Sequence, residues 1–152
     1  GWLAAKNREL LHEISRYKHY LSITNSASSE RLALIALKAR KKILKENQTY
    51  LRKNVEELES FLLSYPSLFQ WWRPQGGCIS YPKFIGPGGG EKFCHDLLRK
   101  KGVFLLPGSV YESPLVDTPP DHFRISYGRK ESFHDGLNVI ADFLDSEYTT
   151  FV

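Results

Sequence analysis

The chain has 152 residues, 41% hydrophobic and 25% charged, which is enough to bury one proper core and too apolar for a disordered segment. Its net charge of +4, from 21 Lys and Arg against 17 Asp and Glu, is modest for a dedicated nucleic-acid binder. No run of about 18 apolar residues and no basic segment leading into an apolar signal core occurs, so the expectation is a cytoplasmic protein with no membrane partner. The two cysteines, Cys78 and Cys94, form no CxxC, and no histidines pair at ligand spacing. Reduced thiols and no metal site are expected. The sequence contains no methionine, so Gly1 does not directly follow a retained start codon, and a processed N-terminus or a piece of a longer protein is expected.

In chain order, Leu10, Leu11, Ile14, Tyr17 and Leu21 fall at helical spacing. A polar break, Ser22 to Ser28, offers hydroxyls that can cap the next helix. From Ser29 to about Tyr65 there is neither Gly nor Pro, and strong helix formers dominate. Leu32 to Leu37 are apolar on every side, Lys38 to Lys42 are basic, and Leu44, Leu51, Val55, Leu58 and Leu62 then mark one stripe. The pattern fits one very long helix or two joined at the basic run. A single helix of about 36 residues would span on the order of 50 Å, longer than the roughly 40 Å diameter of a domain this size. Its all-apolar end would then need a cover of other protein.

The second half predicts a small α/β unit. Gly77 to Phe84 is a strand candidate closed by Pro82, and Gly86 to Gly90 a flexible connection. Glu91 to Lys101 reads as a helix with Phe93, Leu97 and Leu98 inward and Gly102 at its C′ position. Val103 to Leu106 is a short buried strand, and His122 to Tyr127 alternates cleanly. Ser132, with Asp135 three residues on, caps a helix with the stripe Phe133, Leu137, Ile140 and Leu144. The order β-α-β-β-α predicts an α+β arrangement with a mainly antiparallel sheet packed by helices.

Few residues carry chemistry. The run Gly86-Pro87-Gly88-Gly89-Gly90-Glu91-Lys92 lacks the Gly-Lys-Ser/Thr ending of a phosphate loop and reads as a hinge. The basic helix Lys38 to Lys53, near Trp71 and Trp72, is interrupted by Glu46, with Glu56, Glu57 and Glu59 beyond it, and reads as a solvated face. Strand alternation sets Asp121 opposite His122 and Ser126, which speaks against a catalytic triad. Arg124 stands apart. Phe123, Ile125 and Tyr127 occupy the apolar face of its strand, and Arg124 shares the other with His122 and Ser126. A planar guanidinium on a rigid strand can grip a carboxylate through two parallel hydrogen bonds, although the strand pattern taken alone favours a solvent-facing arginine.

Taken in order, four segments resemble the C-terminal third of the class I/II, fold-type I pyridoxal-phosphate-dependent aminotransferases. Gly1-Trp2 is similar to the end of an Arg-x-Gly-Trp segment that lies shortly after the cofactor lysine. Pro74-Gln75-Gly76-Gly77 resembles the entry to the small domain's sheet. Gly102-Val103 through Pro107-Gly108-Ser109-Val110-Tyr111 resembles a Gly-Val-(x)-Pro-Gly-x-x-Phe block, with tyrosine for the usual phenylalanine. His122-Phe123-Arg124-Ile125-Ser126 resembles the strand that carries the α-carboxylate arginine.

The resemblance implies that residues 1–44 are the tail of the large cofactor domain and the start of an interdomain helix, and that residues 45–152 are the small domain. It implies amino-group transfer between an amino acid and a 2-oxo acid, in a homodimer that uses pyridoxal phosphate. Arg124 would bind the substrate carboxylate. The cofactor lysine would precede Gly1, so this chain alone would hold no catalytic residue and no cofactor. Synthases and decarboxylating enzymes share the architecture. Two other classes remain open, a free-standing interaction domain derived from such an enzyme and a basic nucleic-acid-binding module.

Overall fold

The structure, a computed structural model, describes residues 2–150. Gly1 lies outside the described residues, so the Gly1-Trp2 resemblance stays a matter of sequence. The chain forms two compact units that divide between Lys45 and Glu46.

The first unit is helical. Helix α1 (Arg8–Ser22) is capped by the Asn7 side chain, which accepts from the backbone N–H groups of Glu9 and Leu10 at 2.9 and 3.1 Å. Helix α2 (Ala27–Lys38) comes next, and α3 (Arg40–Ser64) begins after a break at Ala39. Of the two arrangements the sequence pattern allows, the broken one forms. The break falls beside the basic run that begins at Lys38. Ala39, at φ −86 and ψ 3, turns the chain while still accepting from Lys42 and Ile43. No residue of α1 or α2 is buried, and Leu32, Leu34, Ile35 and Leu37 are all exposed.

In the second unit, α3 buries Val55, Leu58 and Leu62; Leu44, at the head of the predicted stripe and still in the first unit, is exposed. Every strand pairing among the described residues is antiparallel. β1 (Phe69–Gln70) pairs with β3 (Lys83–Phe84), and β2 (Ile79–Ser80), β5 (Phe123–Ser126) and β4 (Leu106–Pro107) form a three-stranded sheet with β5 central. The predicted strand Gly77 to Phe84 is therefore two strands, because Tyr81-Pro82 interrupts the ladder and Pro82 has no N–H to give. Helices α4 (Gly89–Lys101) and α5 (Phe133–Glu147) pack against each other, and α4 backs the strands.

The core is aromatic. Phe84 stacks on Phe93 with ring centroids 4.4 Å apart, and Phe69 meets Phe84, Phe93 and Phe123 edge-on at 5.6, 5.8 and 6.0 Å. On α4 the inward set is Phe93, Cys94 and Leu97; Leu98 is exposed, contrary to the sequence expectation. The predicted cap of α5 also differs. Ser132 precedes the helix, but its side chain makes no capping bond, and only its carbonyl accepts, from Gly136 at 3.2 Å.

The glycine run is a close approach rather than a hinge. Asp121, itself at φ 61, accepts a hydrogen bond from the Gly90 N–H at 3.1 Å, so its carboxylate caps the positive end of α4 from 31 residues away. A β-carbon at Gly89 would overlap the Asp121 carboxylate, and one at Gly90 would overlap its carbonyl oxygen. That carbonyl accepts from the Phe84 N–H at 2.9 Å and cannot yield without breaking the link. The N-terminus of α4 is thus filled by the protein's own anion, which closes it as a phosphate cradle.

Candidate functional site

Strand β5 is flanked on both sides, with Arg124 opposite Leu106 of β4 and Ser126 opposite Ile79 of β2. Phe123, Ile125 and Tyr127 are buried beneath it, so the alternation fixes Arg124 on the other face. From there the guanidinium Nη1 donates to the Tyr111 hydroxyl at 3.1 Å. Tyr111 closes the 3-10 turn Gly108–Tyr111, which is held at its start by the Gly108 N–H donating to the His122 carbonyl at 2.7 Å.

Around this end of Arg124 lies an open cleft of about 490 Å³, with Ile79, Tyr81, Tyr111, Val116 and Pro119 among its walls. Its lining is mostly hydrocarbon and ring. Tyr81 stands edge-on to Tyr111 at 6.2 Å and stacks on His122 at 5.2 Å. Burial, and to a lesser extent the neighbouring Tyr111, holds the Tyr81 phenol above its usual range. Asp117 also lines the cleft, but among the described residues no carboxylate pairs with Arg124. A fixed guanidinium at the end of an apolar cleft suits a ligand with a carboxylate head and a less polar body.

The three residues expected on one face part ways in their hydrogen bonding. His122 stacks on Tyr81 and uses Nδ1 toward the Pro120 carbonyl at 2.9 Å. Ser126 donates to the Cys78 carbonyl at 3.3 Å and does not line the cleft. Only Arg124 presents its charge there. The wall of Tyr81 and the loop residues Val116 to Pro119 carry no signal in the sequence. Tyr81 has the pattern of an ordinary strand residue, and the loop has no periodicity to flag it.

This architecture, antiparallel strands backed by helices, is that of the fold-type I pyridoxal-phosphate enzymes. The chain belongs to the aminotransferase class I and II family, which matches residues 14–140. It is 25% identical over 143 residues to capreomycidine synthase of Streptomyces vinaceus, covering 93% of this chain and 35% of that protein. Among solved structures it resembles a PLP-dependent aminotransferase of Streptococcus suis, with 26% identity and a TM-score of 0.80 over 97% of this chain and 37% of that one. It also resembles MJ0684 of Methanococcus jannaschii, reported as similar in its active site to kynurenine aminotransferases, with 25% identity and a TM-score of 0.75 over 91% and 36%. The chain therefore spans little more than a third of the length of these relatives. No helix among the described residues is long and apolar enough to cross a membrane.

Enzymes of this family depend on pyridoxal phosphate. No lysine lines the Arg124 cleft, so these residues do not fit the cofactor's point of attachment. Their chemistry suits the carboxylate end of an amino acid instead.

Proposed function

We propose that this chain is the C-terminal portion of an aminotransferase, with residues 1–44 completing the large domain and residues 45–152 forming the small domain. In this reading the full-length enzyme moves an amino group between an amino acid and a 2-oxo acid, and Arg124 holds the α-carboxylate of both. The observation that carries it is the Arg124 guanidinium, aimed by a central strand into an apolar cleft and held by Tyr111 at 3.1 Å, with no carboxylate of its own among the described residues. Bound pyridoxal phosphate would supply the electron sink for the chemistry, from residues outside this chain.

The part played by this chain is positioning. A bidentate arginine–carboxylate pair fixes the substrate's orientation as well as its affinity, which a lysine point charge reproduces poorly. The exposed apolar side chains of α2 support a homodimer or a large-domain cover over that helix. The two free cysteines are in keeping with a reducing, cytoplasmic setting. The isolated chain would be inactive and take up no stoichiometric cofactor.

The test is to assay the full-length enzyme with pyridoxal phosphate against a panel of amino acids paired with 2-oxo acids. Formation of the matching new amino acid is expected. Conversion of an amino acid with no dependence on any 2-oxo acid would instead point to a synthase or lyase of the same architecture.

A further inference from the structure

Resting on the assignment of Arg124 as the carboxylate grip, we propose that Tyr111 is a positioning residue for that grip, through its hydroxyl rather than its ring. The side chain of Arg124 has several rotatable bonds, and its strand fixes only where that side chain starts. Among the described residues, the polar contact its guanidinium makes is with Tyr111, at 3.1 Å. The tyrosine is itself well placed to hold something. The 3-10 turn that ends at Tyr111 is hydrogen-bonded to His122, which lies just before β5 and two residues from Arg124, and the Tyr111 ring rests edge-on against Tyr81.

A guanidinium has five N–H donors, and one spent on a neutral oxygen leaves the others and the full charge for a carboxylate. The cost of orienting the fork is then met before the ligand arrives, which raises affinity without adding a contact. Because the Tyr111 oxygen accepts from Arg124, its own O–H remains available as a further donor beside the guanidinium. Phenylalanine at this position would keep the ring and lose both.

The experiment uses this 152-residue chain labelled with 15N-arginine, with propionate as the probe. The Arg124 side-chain resonance, assigned by its disappearance in Arg124→Lys, is followed during titration of the unsubstituted chain and Tyr111→Phe. The expected result is saturable perturbation of Arg124 by propionate, weakened about tenfold in Tyr111→Phe, the scale of one hydrogen bond to a charged group. Without ligand, the Arg124 side-chain N–H should exchange faster with water in Tyr111→Phe, while the backbone amide spectrum away from the cleft is unchanged. Equal propionate affinity in the unsubstituted chain and Tyr111→Phe would overturn the role of Tyr111 and leave the reading of Arg124 standing. No perturbation of Arg124 in either chain would overturn that reading, and the proposal with it.

Discussion

The side-chain amide of Asn54 donates to the backbone carbonyl of Tyr127, 73 residues away, at 2.9 Å. It reaches the Arg129 carbonyl as well, at 2.7 Å, so one buried side chain on α3 ties down the backbone that leaves β5 just after Arg124. Asn54→Ala would leave the Tyr127 carbonyl without that donor in a region closed to water. A loss of about 1 to 3 kcal/mol in unfolding free energy is expected, measured by urea denaturation. A change under a few tenths of a kcal/mol would show that water replaces the amide at no cost.

Gly90 is expected to tolerate no side chain. Its missing β-carbon is the space taken by the Asp121 carbonyl, whereas a β-carbon at Gly76 would meet nothing within 4 Å. Gly90→Ala should destabilise by about 1 to 3 kcal/mol, the usual range for overpacking, and Gly76→Ala by much less. Comparable thermal midpoints for the two variants would refute the close-approach account of the glycine run.

Alkaline pH should loosen the second unit. Burial first, then the hydrogen bond to Asp145 at 3.0 Å, pushes the Tyr65 phenol up from 10.0 to about 12. Burial first, then Glu91, pushes the Cys94 thiol up from 9.0 to about 12. Both groups have raised values in the folded chain, so their stabilising contribution is complete below about pH 9 and is lost as pH rises toward 12. Unfolding free energy measured from about pH 8 to pH 11 should fall, and the double variant Tyr65→Phe, Cys94→Ala should flatten that slope. An unaltered slope would mean that other groups govern it.

Helix α2 should mediate association. Leu32, Leu34, Ile35 and Leu37 are 66%, 43%, 53% and 50% exposed, an apolar patch in a sequence of otherwise ordinary composition. Sedimentation of the chain at micromolar concentration is expected to show a dimer or larger species, and Leu34→Glu with Ile35→Glu to shift it to monomer. A monomer at every concentration would remove the basis for that interface.

Much of this fold is legible because periodicity writes it plainly. The β5 alternation and the α5 stripe both hold, since Phe123, Ile125, Leu137, Ile140 and Leu144 are all buried where spacing puts them. What escapes is long-range. The Asp121 cap on α4, the Asn54 bonds to the end of β5 and the role of the glycine run each depend on partners 31 to 75 residues away, which no local window contains. Short strands such as β1, of two residues, carry too little pattern to be read at all. The site divides in the same way. Arg124 could be picked out by its strand face and its resemblance and Tyr111 noted as a departure from the resembled block, while the Tyr81 wall and the contact of Tyr111 with Arg124 exist only once the chain folds.

The most direct test of Arg124 as the carboxylate grip is the selectivity of the full-length enzyme carrying Arg124→Lys, measured with an amino acid and with a simple amine that has no carboxylate. Losing a fixed bidentate partner for a desolvated carboxylate costs about 2 to 5 kcal/mol, roughly 30- to 4,000-fold in kcat/KM. That loss is expected for the amino acid and should nearly vanish for the amine, with cofactor content and folding unaltered. An equal loss on both substrates, or no loss on either, would contradict the assignment of Arg124 as the residue that holds the carboxylate.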